Sequence, residues 1–226
     1  KQGTTDQLVQ GIEQLLKANG VTLVSGHGTL LGSHRVQVDG EEIQVLEARN
    51  IILAAGSKPF MLPLPGMDLK GVLSSDELFK LEEMPESLVI IGGGVISVEF
   101  ATAFSALGCK VTILEAMPRL VPNMDKEISQ SLKMLLKKRG IDVHTSAGVQ
   151  SVEERDGAYV CKYTEKEKEC EASAQYVLCA VGRIPNTEGL FAEDAVPEME
   201  RGRIVVDEHF KTSIPEVYAI GDLIKG

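Results

Sequence analysis

Three consecutive glycines, Gly92, Gly93 and Gly94, interrupt an apolar run and are followed by a serine, Ser97, and later by an acid, Glu115. Ser87 to Ile91 suits a strand buried on both faces. Val95 to Leu107 is small and apolar except for Glu99 and suits a helix, which Gly108 stops. Lys110 to Leu114 is a second apolar strand, closed by Glu115. Strand, glycine turn, helix, strand, acid is the context in which such a turn binds a dinucleotide. Gly92 allows the tight bend, and Gly94 lets backbone approach a pyrophosphate with no Cβ in the way. The helix N-terminus offers free N–H groups and a partial positive charge. Ser97 stands where the fingerprint has its third glycine. Its hydroxyl can back-bond to a helix carbonyl, so the expectation is looser helix–strand packing with the site retained. Glu115 can accept hydrogen bonds from ribose hydroxyls and would repel a 2′-phosphate, which selects NAD over NADP. Arg119 is the nearest arginine. The bland alternatives are a glycine-rich joint without ligand and a surface glutamate.

Composition narrows the classes of function. The 226 residues carry a formal net charge of −10, with 43% hydrophobic and 25% charged residues. That is an ordinary globular make-up, and its sign argues against nucleic acid or an anionic membrane as main partner. The apolar stretch 88–108 contains Glu99 and the three glycines, so it reads as strand and packed helix, not as a membrane span. The chain starts at Lys1 with no charged-then-apolar leader, which reads as the cut end of a longer chain. Cys109, Cys161, Cys170 and Cys179 form no redox pair by spacing, and the four histidines cluster with none of them. Scattered reduced thiols in a cytoplasmic protein are expected, with no metal site and no disulfide chemistry of their own.

The elements that must hold this turn occur in an order that repeats. A helix is expected over Asp125 to Arg139, with basic residues in its last turn and Gly140 as its stop, followed by a strand over Ile141 to Thr145. Strand-like runs follow at Val149 to Glu153, Tyr159 to Tyr163 and Tyr176 to Ala180, with the charged run Glu165 to Glu171 expected as a solvated hairpin tip. "LLKANGVTLV" (15–24) resembles "LLKKRGIDVH" (135–144), and "NIILAAGSKP" (50–59) resembles "YVLCAVGRIP" (176–185). Helix end, strand, meander and returning strand therefore occur twice. Only the second copy carries its glycine-turn front end. An α/β, Rossmann-like fold with a parallel sheet and a β-meander follows, flanked by partial segments of a second, homologous domain.

The segments "IIGGGVISVEFA", "VTILEAMPRLVPNMDKEI", "AVGRIPNTEGL" and "VDEHFKTSIPEVYAIGD" resemble the flavin-dependent pyridine nucleotide-disulfide oxidoreductases, and among these the dihydrolipoamide dehydrogenase branch. The resemblance runs from end to end of the chain. It implies a partial FAD-binding domain over 1–73, an NAD-binding domain over 74–192 and a return segment of the FAD domain over 193–226. For NAD it implies contacts from Gly92, Gly93, Gly94, Val95, Ile96, Ser97, Val98 and Glu99, with Glu115 at the ribose, Val149 at adenine and Gly182 with Arg183 along the cleft. For FAD it implies Gly28, Ala55, Gly56, Ser57 and Asp222, where Ala55 replaces a threonine usual in the family. The family's amino-terminal glycine turn, redox-active cysteine pair and carboxy-terminal dimerisation domain are not found in these residues. The implied parent is a homodimeric NAD- and FAD-using enzyme, a candidate component of a 2-oxo acid dehydrogenase complex. The 226 residues alone are expected to be inactive. The rivals are an NAD-sensing module without redox chemistry and a family member acting on mercuric ion or a coenzyme A disulfide.

Overall fold

The computed structural model describes residues 2–225. The chain opens with helix α1 (Gln2–Ala18), then strands β1 (His27–Leu30), β2 (Arg35–Asp39), β3 (Ile43–Glu47), β4 (Ile51–Leu53) and β5 (Ser57–Pro59). Next come β6 (Val72–Leu73), the one-turn helix α2 (Ser75–Leu78), β7 (Ser87–Ile91), α3 (Val95–Ala106), β8 (Lys110–Glu115) and α4 (Lys126–Lys138). They are followed by β9 (Asp142–Thr145), β10 (Ala147–Arg155), β11 (Ala158–Glu165), β12 (Lys168–Ala174), β13 (Tyr176–Cys179) and β14 (Arg183–Pro185). The chain ends with β15 (Met199–Glu200), β16 (Arg203–Ile204), β17 (Val217–Ala219) and a 3-10 turn, Gly221–Leu223.

Two compact units share this chain. The inner unit is one unbroken run, Lys58–Ile184, and the outer unit comprises the chain up to Ser57 and from Pro185 onward. These limits differ from divisions at 73/74 and 192/193. Val72 and Leu73 pair in parallel with Val177 and Leu178, which draws the residues before 74 into the inner sheet. Backbone bonds join Leu30 to Leu190 and Ala192, which holds 185–192 in the outer unit.

In the inner unit five strands lie side by side in the order β6-β13-β7-β8-β9, all parallel. Successive side chains of a strand point to opposite faces, and β7 shows what each face meets. Leu88 and Ile90 pack with Ala101 of α3 and Leu136 of α4, whereas Val89 and Ile91 pack with Val152, Cys161 and Ala174 of an antiparallel meander. The parallel sheet is thus covered on both faces, by helices on one and by β10-β11-β12 on the other. That double burial is why β7 is apolar throughout and not alternating. Helix α4 ends where expected, with Gly140 in the left-handed region at φ 81°.

One expected loop is a strand. The pattern predicts a charged tip over Glu165 to Glu171, but only Lys166 and Glu167 turn, both with positive φ, and β12 begins at Lys168. Its pattern, Lys-Glu-Cys-Glu-Ala-Ser-Ala, places Cys170, Ala172 and Ala174 inward and Glu169, Glu171 and Ser173 outward. Small inward residues and long outward charges hide the alternation in a count of charges.

The outer unit has an antiparallel meander β1-β2-β3 and one parallel pair, β4 with β17. Leu30, Ile51, Leu53, Val217, Ala219 and Leu223 form its core. Leu8, Val9, Ile12 and Leu15 of α1 stay exposed, and Val21 to Val24, expected as a strand, form none. No described residue offers that segment a ladder partner, and a lone strand has nowhere to place its backbone bonds.

Candidate functional site

The glycine turn joins β7 to α3. Gly92 has φ 107°, and a Cβ there would lie 2.6 Å from the Ala180 carbonyl oxygen of the neighbouring strand's end. At Gly93 a Cβ would meet Glu115 and Leu120, each at 2.7 Å. Gly94 is different: it forms the extended N-cap of α3, and a Cβ there would meet nothing within 4 Å. Two glycines are therefore required by the protein's own close packing, and the third faces open space at a helix N-terminus.

That space is a cavity of about 700 Å³, lined by Gly92 to Ile96, Glu115, Val149 and Gly182, with Met117 and Pro122 on its rim. Its size lies in the range of small-molecule sites. Glu115 is buried at the end of β8, and its Oε1 accepts the Met117 backbone N–H. This bond orients the carboxylate and leaves Oε2 beside Gly93 without a hydrogen bond among the described residues. A second tie, Val121 N–H to the Gly93 carbonyl at 2.8 Å, fastens the segment after β8 to the glycine turn. Val121 sits at φ 40°, a conformation costly for a β-branched residue.

Ser97 and Val98 turn inward, away from this cavity. Ser97 is fully buried, and its hydroxyl donates to the Ala180 carbonyl oxygen at 3.1 Å. The expected back-bond to a helix carbonyl is thus replaced by a bond across to the end of β13. In place of loosening the joint, the serine pins α3 to the strand edge that flanks the turn. Val98 packs on the helix-side core. Glu99 and Arg183 line a different, more open cavity of about 370 Å³ with Phe79, Phe100 and Phe104. There the Arg183 guanidinium lies 3.6 Å from Asp76, which sits within the Ser74–Glu77 capping box of α2.

The residues singled out for a flavin lie in the outer unit. Ser57 donates to Asp222 Oδ2 at 2.5 Å, and Gly56 has φ 68°. Asn186 N–H bonds to the Gly56 carbonyl, and its side chain reaches the Ala55 carbonyl at 3.5 Å. Gly28 stands on β1. The Ser57–Asp222 contact spans most of the chain, and no spacing rule could have supplied it. All four cysteines are free. Burial pushes the Cys161 thiol up to about 12 and the Cys109 thiol to about 11, and it raises Cys179 against hydrogen bonds from the Leu62 and Val181 backbone. Thiols so held are poor nucleophiles. No group of three or more His, Cys, Asp or Glu among the described residues could hold a metal, and none of their helices is long and apolar enough to cross a membrane.

A parallel sheet with helices on one face, an antiparallel meander on the other and a glycine turn opening a helix defines a Rossmann-like domain of the FAD/NAD(P)-binding type. Residues 3–226 match the family model described as pyridine nucleotide-disulphide oxidoreductase, and the chain belongs to that family. It is 37% identical over 227 residues to a dihydrolipoyl dehydrogenase of Bacillus subtilis, covering all of this chain and 49% of that protein. It is 39% identical to a dihydrolipoyl dehydrogenase of Acholeplasma laidlawii, covering 99% of this chain and 65% of the relative. Among solved structures, the Cu(II) complex of the HOCl-induced flavoprotein disulfide reductase RclA from Escherichia coli superposes with a TM-score of 0.84 at 30% identity, over 91% of this chain and 46% of that one. The chain therefore spans about half to two thirds of the length of these relatives.

Proposed function

We propose that the inner unit is the NAD-binding portion of a flavin-dependent disulfide oxidoreductase of the dihydrolipoamide dehydrogenase type, and that the outer unit contributes FAD contacts to the same enzyme. The observation that carries this reading is the Gly94 N-cap, where a helix N-terminus opens without a Cβ onto a large cavity that has a buried carboxylate at its edge. The residues present fit a dinucleotide. The α3 N-terminus would hold a pyrophosphate through its free N–H groups, and Glu115 Oε2 would accept from ribose hydroxyls while repelling a 2′-phosphate. Val149 and Gly182 would line the remainder of the cleft. Glu99 and Arg183, beside the phenylalanine-walled cavity, would lie towards the nicotinamide end.

Bound NAD and FAD would supply hydride chemistry, and a disulfide would be the electron partner of the whole enzyme. The protein's own task is orientation: Ser97 holds α3 against the β13 end, and Val121 holds the glycine turn by its carbonyl. Ser57 and Asp222 would present one hydrogen-bonded polar pair to the flavin. The names of the relatives favour a dihydrolipoyl substrate over the mercuric and coenzyme A alternatives, and the flavoprotein reductases among the solved structures favour redox chemistry over a pure sensor. Membership of a homodimer and of a 2-oxo acid dehydrogenase complex in the cytoplasm belongs to the same proposal.

Calorimetry on the purified chain tests it. NADH binds more tightly than NADPH, and Glu115→Ala narrows the gap. Equal affinities, or tighter NADPH, would overturn the assignment. The same preparation is colourless and without diaphorase activity, because the described residues of the outer unit contain no glycine turn opening a helix to grip a flavin's pyrophosphate.

A further inference from the structure

Behind the segment that follows β8 lies another cavity, of about 470 Å³, walled by Arg119, Leu120, Lys126, Ser129, Gln130 and Lys133. Met117 and Pro122 line both it and the glycine-turn cleft, so residues 117–122 form a partition between the two. No acidic side chain lines this second space. In a chain of net charge −10, three cations converge on one concavity.

None of the three is neutralised by an ion pair among the described residues. Arg119 donates to the Pro122 carbonyl at 2.7 Å, Lys133 donates to Thr145 Oγ1 at 2.8 Å, and Lys126 has no partner among the described residues. Burial, together with Lys137 and Lys166 and against the pull of Glu165, holds the Lys133 ammonium below its usual value. The independent observation is Ser129, which is 2% exposed and lines the same cavity. Its Oγ is the one buried side-chain oxygen or nitrogen without a hydrogen-bond partner among the described residues. A buried hydroxyl is rarely left so, and each such case calls for an explanation, a bound ion among them.

We propose that this cavity is a binding site for a small phosphate-type oxyanion, free or carried on a small metabolite, held by Arg119, Lys126, Lys133 and the Ser129 hydroxyl. A tetrahedral oxyanion offers enough acceptors for three cationic donors and one hydroxyl at once, and charge-assisted bonds of this kind are the strong ones. The site is distinct from any ribose position in the cleft, since Glu115 and the glycines line the cleft and not this cavity. It stands whether or not the cleft takes NAD.

Amide proton–nitrogen correlation spectra of the 226-residue chain, titrated with inorganic phosphate at ionic strength held constant with chloride, test this directly. Saturable shifts confined to residues 117–133 are expected, and they persist when NADH is present. The Lys126→Gln/Lys133→Gln double variant weakens phosphate at least ten-fold, about 1.4 kcal/mol. Ser129→Ala weakens it about three-fold and leaves the fold intact, because the hydroxyl it removes has no partner among the described residues. A parallel titration with glycerol 3-phosphate separates the sources: tighter binding than inorganic phosphate assigns the cavity to a phosphorylated metabolite, and weaker binding assigns it to the free ion. No saturable shift with either probe, shifts centred on residues 92–97, or a double variant within two-fold of the parent would each overturn the proposal.

Discussion

The two copies of the repeated sequence pattern fold to different degrees. In the inner copy "LLKKRGIDVH" ends α4 with Leu136 buried, and its last residues form β9 beside β8. In the outer copy "LLKANGVTLV" ends α1 with no residue of described burial fully buried, Leu16 half-buried, and no strand after it. The returning strand β13 lies between β6 and β7 in a sheet of five strands, whereas its counterpart β4 has β17 alone. The letters match and the neighbours do not. Helical periodicity suffices to form α1, but a strand and a core need surfaces to lie against, and tertiary context decides where propensity is shared.

Paired substitutions at matched positions give the largest expected contrast. Leu136→Ala removes a fully buried side chain and costs about 2–5 kcal/mol. Leu16→Ala, at the matched place in α1, costs under about 1 kcal/mol. Urea titrations of both variants measure the difference, and similar losses would show that α1 is packed as firmly as α4. Smaller is Ser97→Ala, which deletes the buried bond to Ala180 and costs about 1–2 kcal/mol by the same measurement. NADH affinity stays within a few-fold, because the side chain faces the strand and not the cleft; a loss of about ten-fold or more would make Ser97 a ligand contact.

The smallest effect is electrostatic. His144 in β9 lies 2.9 Å from Glu165 and 3.1 Å from Asp142, whereas the matching residue of the outer copy is Val24. Burial works to lower its value, but the hydrogen bonds and charges of Glu165 and Asp142 prevail, so the folded value is raised above the ordinary 6.5. The folded protein therefore holds this proton more tightly than the unfolded chain. The contribution is complete below the unfolded value and is lost as pH rises through the folded one. Between about pH 6 and 8 stability falls with a slope that His144→Gln flattens; an unchanged slope would remove His144 as its source.

Much of the inner unit was readable from local pattern. The glycine turn, its two strands and α3 fall within a residue or two of their expected limits, because each rests on periodicity and on glycine's conformational freedom. Features set by distant partners were not readable. Ser97 bonds to a residue 83 positions away, and Asp222 meets Ser57 across 165. The Val21 to Val24 run has strand-like composition but lacks a neighbour. Strand β12 was hidden by outward glutamates that alternate with small inward residues. The orphan hydroxyl of Ser129 left no trace in sequence, since a serine in a polar helix is unremarked until its surroundings are known.

The parallel pairing of β4 with β17 sets a timetable for the growing chain. Ile51 to Leu53 leave the ribosome before the inner unit, but their partners, Val217 to Ala219, follow only after the whole inner unit has been made. At bacterial or eukaryotic elongation speeds that interval is roughly ten to thirty seconds. The inner unit can close on its own sheet as soon as β13 emerges, while the edge of β4 waits. During translation Ile51 to Leu53 thus wait for their partners until the inner unit is complete, and a nascent chain stalled before Val217 would expose β4 to any passing strand.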